Sequence, residues 1–585
     1  MKVWSIRIPL LVAALLAVCV PKPARAQAPL EPAQMSPRTL FYLNWRGVPP
    51  PDARKANSLL ALWDDPDFAP VRSAIAAGML SSSEEKSTQP KLTSEQIQEY
   101  AALLENSFTL GYLSAPTRRS LSNGTVAADA KMPSWNGIFF VYNRTGKEDL
   151  LARAILRLRA EEKEAPRLSE ATIGGVEVLK VEGKSGASYW AEHGKYAVSA
   201  GEQTVMEDLL SRLDGKVSGA ASLAQSAAYQ EARANLGSGL IEFFLRVPDL
   251  KNLATDSQAG TFQVRPLLDA ARLDTVHSLS GHITFEGAKT HVQAAILGDA
   301  VPGTPFDIWS AGQPSPVSLT FVPADAVSYT SAQVNFQGIY DTVKRVARAA
   351  FPQAQQGNAD LLDTLAQQKL GMPVPDALGL LTGEFASMQT SPSMDSAKQI
   401  YFLGIRKKPE TLKLMRTVFS EQITSERNEG DITFLKVSLG GKQSSAGSAQ
   451  WNFFNVAVTQ DMILGATRVE TLREVLANRA RTSTAGLATV PQFQAGRAQF
   501  PEKLDGLSYL DFQKVDWQAL KDRWMEDARK SSVAKTVNPS KDAVPSTAPD
   551  WLAQINPQVF SRHLHYSSSV SWKDSKGIHW DQWVE

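Results

Sequence analysis

A chain of 585 residues, 43% hydrophobic and 21% charged, is long enough and ordinary enough to bury several cores, so two to four globular domains are expected. A formal net charge of +1 argues against the basic footprint of a nucleic-acid binder. The single cysteine, Cys19, excludes any disulfide within the chain, so its domains must be held by apolar cores.

Lys2 and Arg7, the apolar run Ile8–Val20 and the small-x-small triplet Ala24-Arg25-Ala26 have the layout of an export signal over residues 1–26, cleaved before Gln27. The apolar run is shorter than the about 20 residues a membrane span needs, and no later stretch approaches that length, so no transmembrane segment is expected in the mature chain. Cys19 would be a lipid acceptor only with a small residue before it. Val18 stands there, which disfavours a lipoprotein. The expected location is the periplasm or the exterior.

After the signal, strand and helix patterns alternate, and they do so twice. "YQEARANL" (229–236) and "FQAGRAQF" (493–500) share an aromatic, a Gln and an Arg-Ala pair at the same spacing, 264 residues apart. Walking outward, "FFVYNRTGKEDLLARAIL" (139–156) pairs with "YFLGIRKKPETLKLMRTV" (401–418). "IGGVEVLKV" (173–181) pairs with "GDITFLKVS" (430–438), and "KYAVSAGEQTVMEDLLSRL" (195–213) with "DMILGATRVETLREVLANR" (461–479). "GLIEFFLRVPDLKNL" (239–253) pairs with "GLSYLDFQKVDWQAL" (506–520), which places Asp249 and Asp516 as matching helix caps. Weaker matches precede them, and the alternating hairpins "LSGHITFEGAKTHVQAAI" (279–296) and "YSSSVSWKDSKGIHWDQW" (566–583) match after them, in the same order.

These blocks predict an α+β protein made of two tandem copies of one unit, 36–300 and 316–585, joined by a Pro/Gly-rich linker at 301–315. Each copy is expected to run β-α-β-β-α-β-β-β-α-β-α-β-β, as a mostly antiparallel sheet with helices packed on one face. Polar tracts at 81–91 and 530–549 have the composition of mobile loops.

No candidate for chemistry survives its spacing. "GKS" at Gly183–Ser185 lacks the upstream glycine of a phosphate loop, where Val178 stands, and fits a hairpin turn better. Ser83–Lys86 and Ser532–Lys535 have the Ser-x-x-Lys spacing of a transpeptidase nucleophile but fall in the polar tracts. His277, His282 and His291 lie near one expected hairpin and His563, His565 and His579 near another. Placing His579 opposite Ser571 separates it from His563 and His565 by roughly 20 Å, too far for a shared metal, and makes these surface histidines. His193 is isolated. Arg233 and Arg497 occupy the same place in both copies and fit a fork that binds backbone carbonyls better than an anion site. Among 13 tryptophans, Trp45, Trp135, Trp551 and Trp583 are candidates for a stacking surface, and Trp517 stands opposite Leu250 as core filling.

The doubled layout, the signal, "PADAVSY" (323–329) and "DALGLLTGEFASM" (376–388) make most of the chain resemble the bacterial exported proteins of the DUF3352 type. That resemblance implies no activity, cofactor or catalytic residue. The expected role is therefore a non-catalytic, envelope-associated binding or interaction module, with no cofactor, no metal and no catalytic residues. The alternative is a hydrolase of envelope polymers whose active site leaves no signature. A protein, peptide or glycan partner is expected in an aromatic groove between the two copies.

Overall fold

The computed structural model describes residues 28–80, 102–103, 105–114, 137–153, 167–183, 186–216, 221–249, 264–309, 315–350, 357–438, 453–479, 486–537 and 550–585. The expected signal at 1–26 and the tract 81–91 lie outside these. The chain divides into two compact units. The first holds the described residues up to Arg265, with Val276–Leu297 and Gln554–Asn556. The second holds Pro266–Thr275, Gly298–Ala553 and Pro557–Glu585.

The first unit contains strands β1 (Thr39–Trp45), β2 (Phe108–Leu113), β3 (Ile138–Asn143), β4 (Arg167–Ile173), β5 (Val176–Gly183), β6 (Gly186–His193), β7 (Tyr196–Ala200), β8 (Ile241–Arg246), β9 (Val276–Glu286) and β10 (Lys289–Gly298). They pair in the order β4-β5-β6-β7-β3-β2-β1-β8-β9-β10. Every junction from β4 to β9 is antiparallel. β1 is central because its alternation of buried and half-buried residues gives it a face for a core and two sides for neighbours.

The second unit contains β11 (Ser328–Gln333), β12 (Leu381–Gln389), β13 (Gln399–Ile405), β14 (Ile423–Glu429), β15 (Ile432–Ser438), β16 (Phe453–Val458), β17 (Met462–Ala466), β18 (Gly506–Asp511), β19 (Tyr566–Asp574) and β20 (Gly577–Val584). Their order is β14-β15-β16-β17-β13-β12-β11-β18-β19-β20, again antiparallel throughout. The protein is thus α+β, as its sequence pattern implies.

In the first unit the helices Gln203–Leu213 and Ala227–Asn235 lie over the sheet. Val205, Met206, Leu209 and Leu210 recur at helical spacing and pack against Phe139, Val141 and Val198. In the second, the helices Val469–Arg479 and Pro491–Arg497 do the same with Leu472, Val475 and Phe493 over Phe402, Leu464 and Tyr509. Helices on one face only is corrected for this unit. Leu435, Val437, Val456 and Val458 point away from that core and pack with Leu412 of the helix Lys408–Val418. The reason is legible in β15 and β16, which carry buried residues on both faces, so each face needs a cover.

Three further expectations change. The strands β4 and β14 were not anticipated, because "RLSEATI" and "ITSERNE" are almost wholly exposed and show no apolar alternation. Turns set them instead: Gly174 and Gly175, at φ 60° and 86°, close the β4–β5 hairpin with a conformation L residues avoid. Residues 301–309 of the expected linker are built into the second unit, where Thr304 and Phe306 are buried and Lys573 Nζ donates to the carbonyls of Phe306 and Trp309 at 3.2 and 2.7 Å. Residues 530–537 of the expected loop are the end of the helix Trp517–Val537. Asp516 caps that helix, its Oδ1 accepting the Ala519 N–H at 2.9 Å. Residues 538–549 are outside the described set, as is any helix following Asp249.

Candidate functional site

The two places where "YQEARANL" and "FQAGRAQF" fold carry the most informative local chemistry. In the first unit Tyr229 meets Phe244 edge-on at 5.5 Å and 74°, and Phe244 stacks on Tyr42. In the second unit Phe493 meets Tyr509 edge-on at 5.6 Å and 75°. Arg233 Nη1 donates to the Gly237 carbonyl at 2.7 Å, and Arg497 Nη1 to the Pro501 carbonyl at 2.7 Å. Both forks therefore bind the chain four residues on, where a helix has ended and its carbonyls need donors. Tyr42 faces Phe244 across β1–β8, and Tyr329 faces Tyr509 across β11–β18.

Phe244 and Tyr509 therefore hold the same position. The sequence match had set Glu242 opposite Tyr509 by aligning the two Gly-Leu pairs. A two-residue slip of this kind keeps the same face inward, which is why alternation could not detect it. With the register corrected, Glu242 of the first unit corresponds to Leu507 of the second.

That exchange changes the chemistry. Glu242 is buried, accepts the Gly239 N–H at 3.1 Å, and lies 3.4 Å from Arg46 Nη2 and 3.7 Å from Arg233 Nη1. Arg46 in turn grips Glu31 with two nitrogens, at 2.5 and 3.0 Å. Burial, with Tyr229 and Glu242 nearby, drives the Tyr42 hydroxyl well above its ordinary pKa, so it stays protonated. The first unit fills this place with a closed polar network.

In the second unit the same place is a pocket of about 340 Å³, at the lower end of the range for small-molecule sites. Buried Leu319, Phe493 and Leu507 line it, with Pro316, Ala488, Ala498, Ser315, Gln494 and Arg497 completing the wall. Leu319 is held by the short helix Val317–Phe321, whose first N–H groups donate to the buried Glu384 carboxylate at 2.9 and 2.7 Å. Ser318 Oγ lies 2.7 Å from the Tyr329 hydroxyl below it. Arg497 also donates to the carbonyls of Phe500 and Glu502, and burial lowers its pKa against the raising influence of the Glu502 charge. All the residues that line this pocket belong to the second unit.

A family model described as a protein of unknown function, DUF3352, matches residues 104–544, well over half of the chain. The chain belongs to the DUF3352 family. No curated protein and no solved structure matches it.

The remaining candidates in this DUF3352 protein fall elsewhere. Gly183 and Gly186 face each other across β5–β6, so "GKS" sits between two strands, with Lys184 and Ser185 outside the described residues. Ser532–Lys535 falls within the helix Trp517–Val537 rather than in a loop, and Ser83–Lys86 is outside the described set. The hairpin β19–β20 turns through only two residues, so His579 faces Trp572 and not Ser571. His579 is buried beneath the Trp572 ring at 5.1 Å, and His282 is buried opposite Glu242, 6.4 Å from His291. The expectation of six surface histidines is corrected for these two. His277 lies 2.9 Å from Glu231, His193 2.6 Å from Asp214, and His565 is exposed. Among the described residues, no three His, Cys, Asp or Glu side chains form a metal-holding group.

Trp45 is buried in β1 and cannot offer a stacking surface, while Trp583 packs against the second core. Trp551 lies in the helix Asp550–Gln554, and Trp135 is outside the described residues. Trp517 stacks on Phe560 at 4.3 Å, as core filling would. Among the described residues no helix is long and apolar enough to cross a membrane.

Sequence reasoning missed one feature altogether. Asp505, just before β18, is buried, and its carboxyl pKa is pushed up to about 6 by burial, against the backbone N–H and charge of Lys573. Nothing in "PEKLDGL" distinguishes this aspartate from a surface one.

Proposed function

We propose that this DUF3352 protein is an exported, non-catalytic binding protein built by duplication of one α+β unit, in which the second copy carries the ligand site. The duplication is supported by the identical ten-strand order of the two units and by the matched pairs Tyr229/Phe493 and Arg233/Arg497. Export is supported by the residues of the N-terminal signal. The binding role rests on one observation, the apolar-floored pocket that opens in the second unit where the first is filled by Glu242.

The test uses the full mature chain and Nile red, an uncharged apolar fluorophore. Saturable binding is expected, and Ala488→Trp should abolish it, because Ala488 is an exposed wall residue whose enlargement fills the pocket without touching the core. Binding that Ala488→Trp leaves unchanged, or no binding at all, would refute the reading.

A further inference from the structure

Away from the pocket, two half-buried arginines of the second unit converge on one glycine. Arg272 follows the helix Val264–Ala270, where its N–H bonds back to the Asp269 carbonyl at 2.9 Å and its backbone turns to a φ of 54°. A left-handed helix end of this kind ordinarily holds Gly or Asn, so the arginine sits there at a cost in backbone strain. Arg345 stands on the helix Phe336–Ala350, with Nε donating to the Ala270 carbonyl at 2.6 Å and Nη2 to Thr342 Oγ1 at 3.3 Å. Those bonds leave Nη1 to point elsewhere. Arg272 Nη1 and Arg345 Nη1 lie 3.3 and 4.0 Å from the point where a Cβ on Gly303 would stand, so the two nitrogens are no farther apart than those distances added. Among the described residues neither guanidinium forms an ion pair with a carboxylate, and Arg272 donates no side-chain hydrogen bond. Asp307 accepts the Gly303 N–H at 2.8 Å, and Asp341, one turn before Arg345, accepts from Gln337 at 3.0 Å.

We propose that Arg272 and Arg345 form a binding site for a phosphate group, held over Gly303. Two guanidiniums that converge without a counter-charge repel each other, and one bound dianion turns that repulsion into two attractions. A phosphate group carries about −1.5 to −2 charges at pH 7 and three acceptor oxygens, so it neutralises both arginines and accepts from each. A carboxylate neutralises only one. Gly303, at φ 79° and without a Cβ, lets the anion come down onto the backbone between the two side chains. Buried Thr304 and Phe306 fix the chain just beyond it, and the Arg345–Ala270 bond fixes one arginine, so little ordering is left for the ligand to impose. The site shares no residue with the apolar pocket and stands apart from the binding role proposed above. The same chemistry is presented by inorganic phosphate and by a small phosphomonoester.

The experiment is isothermal titration calorimetry of the full mature chain with inorganic phosphate, glycerol phosphate and acetate, at one ionic strength fixed with sodium chloride. Phosphate should bind saturably, and acetate about tenfold or more weakly. Arg272→Gly and Arg345→Gln should each weaken phosphate by about tenfold or more. Glycine suits the positive φ at 272, so the urea midpoint of Arg272→Gly should hold or rise, which separates loss of the site from loss of fold. Tighter binding of glycerol phosphate than of phosphate assigns an esterified ligand, and equal or weaker binding assigns the free ion. Nile red reports the apolar pocket independently, so the two readings fail separately. No saturable phosphate binding, acetate as tight as phosphate, or phosphate binding that survives Arg272→Gly overturns the inference and leaves the apolar pocket standing.

Discussion

Asp505→Asn should make the second unit more stable at neutral pH and leave it nearly unchanged at pH 4. Asp505 Oδ2 accepts the Lys573 N–H, while Oδ1 is a buried acceptor with no partner among the described residues. Burial holds the proton on this carboxyl up to about pH 6 in the folded chain, against an ordinary value of 3.8. Between those limits the native state binds more protons than the unfolded one, so stability falls as pH rises through the window and is level above it. At about 1.4 kcal/mol per pH unit the ceiling is about 3 kcal/mol. Exposed Glu502 and Lys503 adjoin the site, so solvent screening reduces this to about 1–2 kcal/mol. Asparagine stays neutral throughout and keeps an acceptor for Lys573, so it removes the slope. Urea denaturation at pH 4, 5, 6 and 7, followed by tryptophan fluorescence and fitted with a separate transition for each unit, measures the difference. An advantage of the variant that is the same at pH 4 and pH 7 would refute the reasoning.

Gly281→Ala should destabilise the first unit by about 1–3 kcal/mol, because a Cβ there would sit 2.5 Å from the Phe243 ring and 2.7 Å from the Gln293 carbonyl, and the first urea transition reports it. Glu384→Ala should cost the second unit about 2–4 kcal/mol by stripping the acceptor from two N–H groups of the Val317–Phe321 turn; the second transition should move and the first should not. The mature protein recovered from its producing cell should begin at Gln27 by N-terminal sequencing, and an intact Met1 would refute cleavage.

How much of this was legible depended on whether a residue's neighbours were local. The hairpins and the helix Gln203–Leu213 follow from spacing alone, since their apolar residues recur at two or at three and four. β4 and β14 are edge strands with polar sequences, so only their turn glycines and partners define them. The Glu242–Leu507 correspondence was hidden because a slip of two residues preserves every inward position, and only the ring contacts and the strand register distinguish Phe244 from Glu242 as the counterpart of Tyr509. The buried state of Asp505 was invisible for another reason: the groups that enclose it, Gln333, Ser571 and Lys573, lie far away in the chain. The pocket of the second unit was illegible likewise, because composition says nothing about which unit's interior lacks a filling side chain.

The placing of β11 and β18 side by side has a consequence for how the chain is made. β11, at residues 328–333, is closed on one side by β18 at 506–511, and β18 in turn is covered by β19, which begins only at Tyr566. A ribosome that halts before Tyr566 therefore releases a sheet whose β18 has no outer neighbour, with its N–H and C=O groups open to any passing strand. The hairpins β14–β15 and β16–β17 need no such wait, but β18 does, and pairing over so long a separation folds slowly, so an unpaired β18 is the exposed edge that quality control would meet.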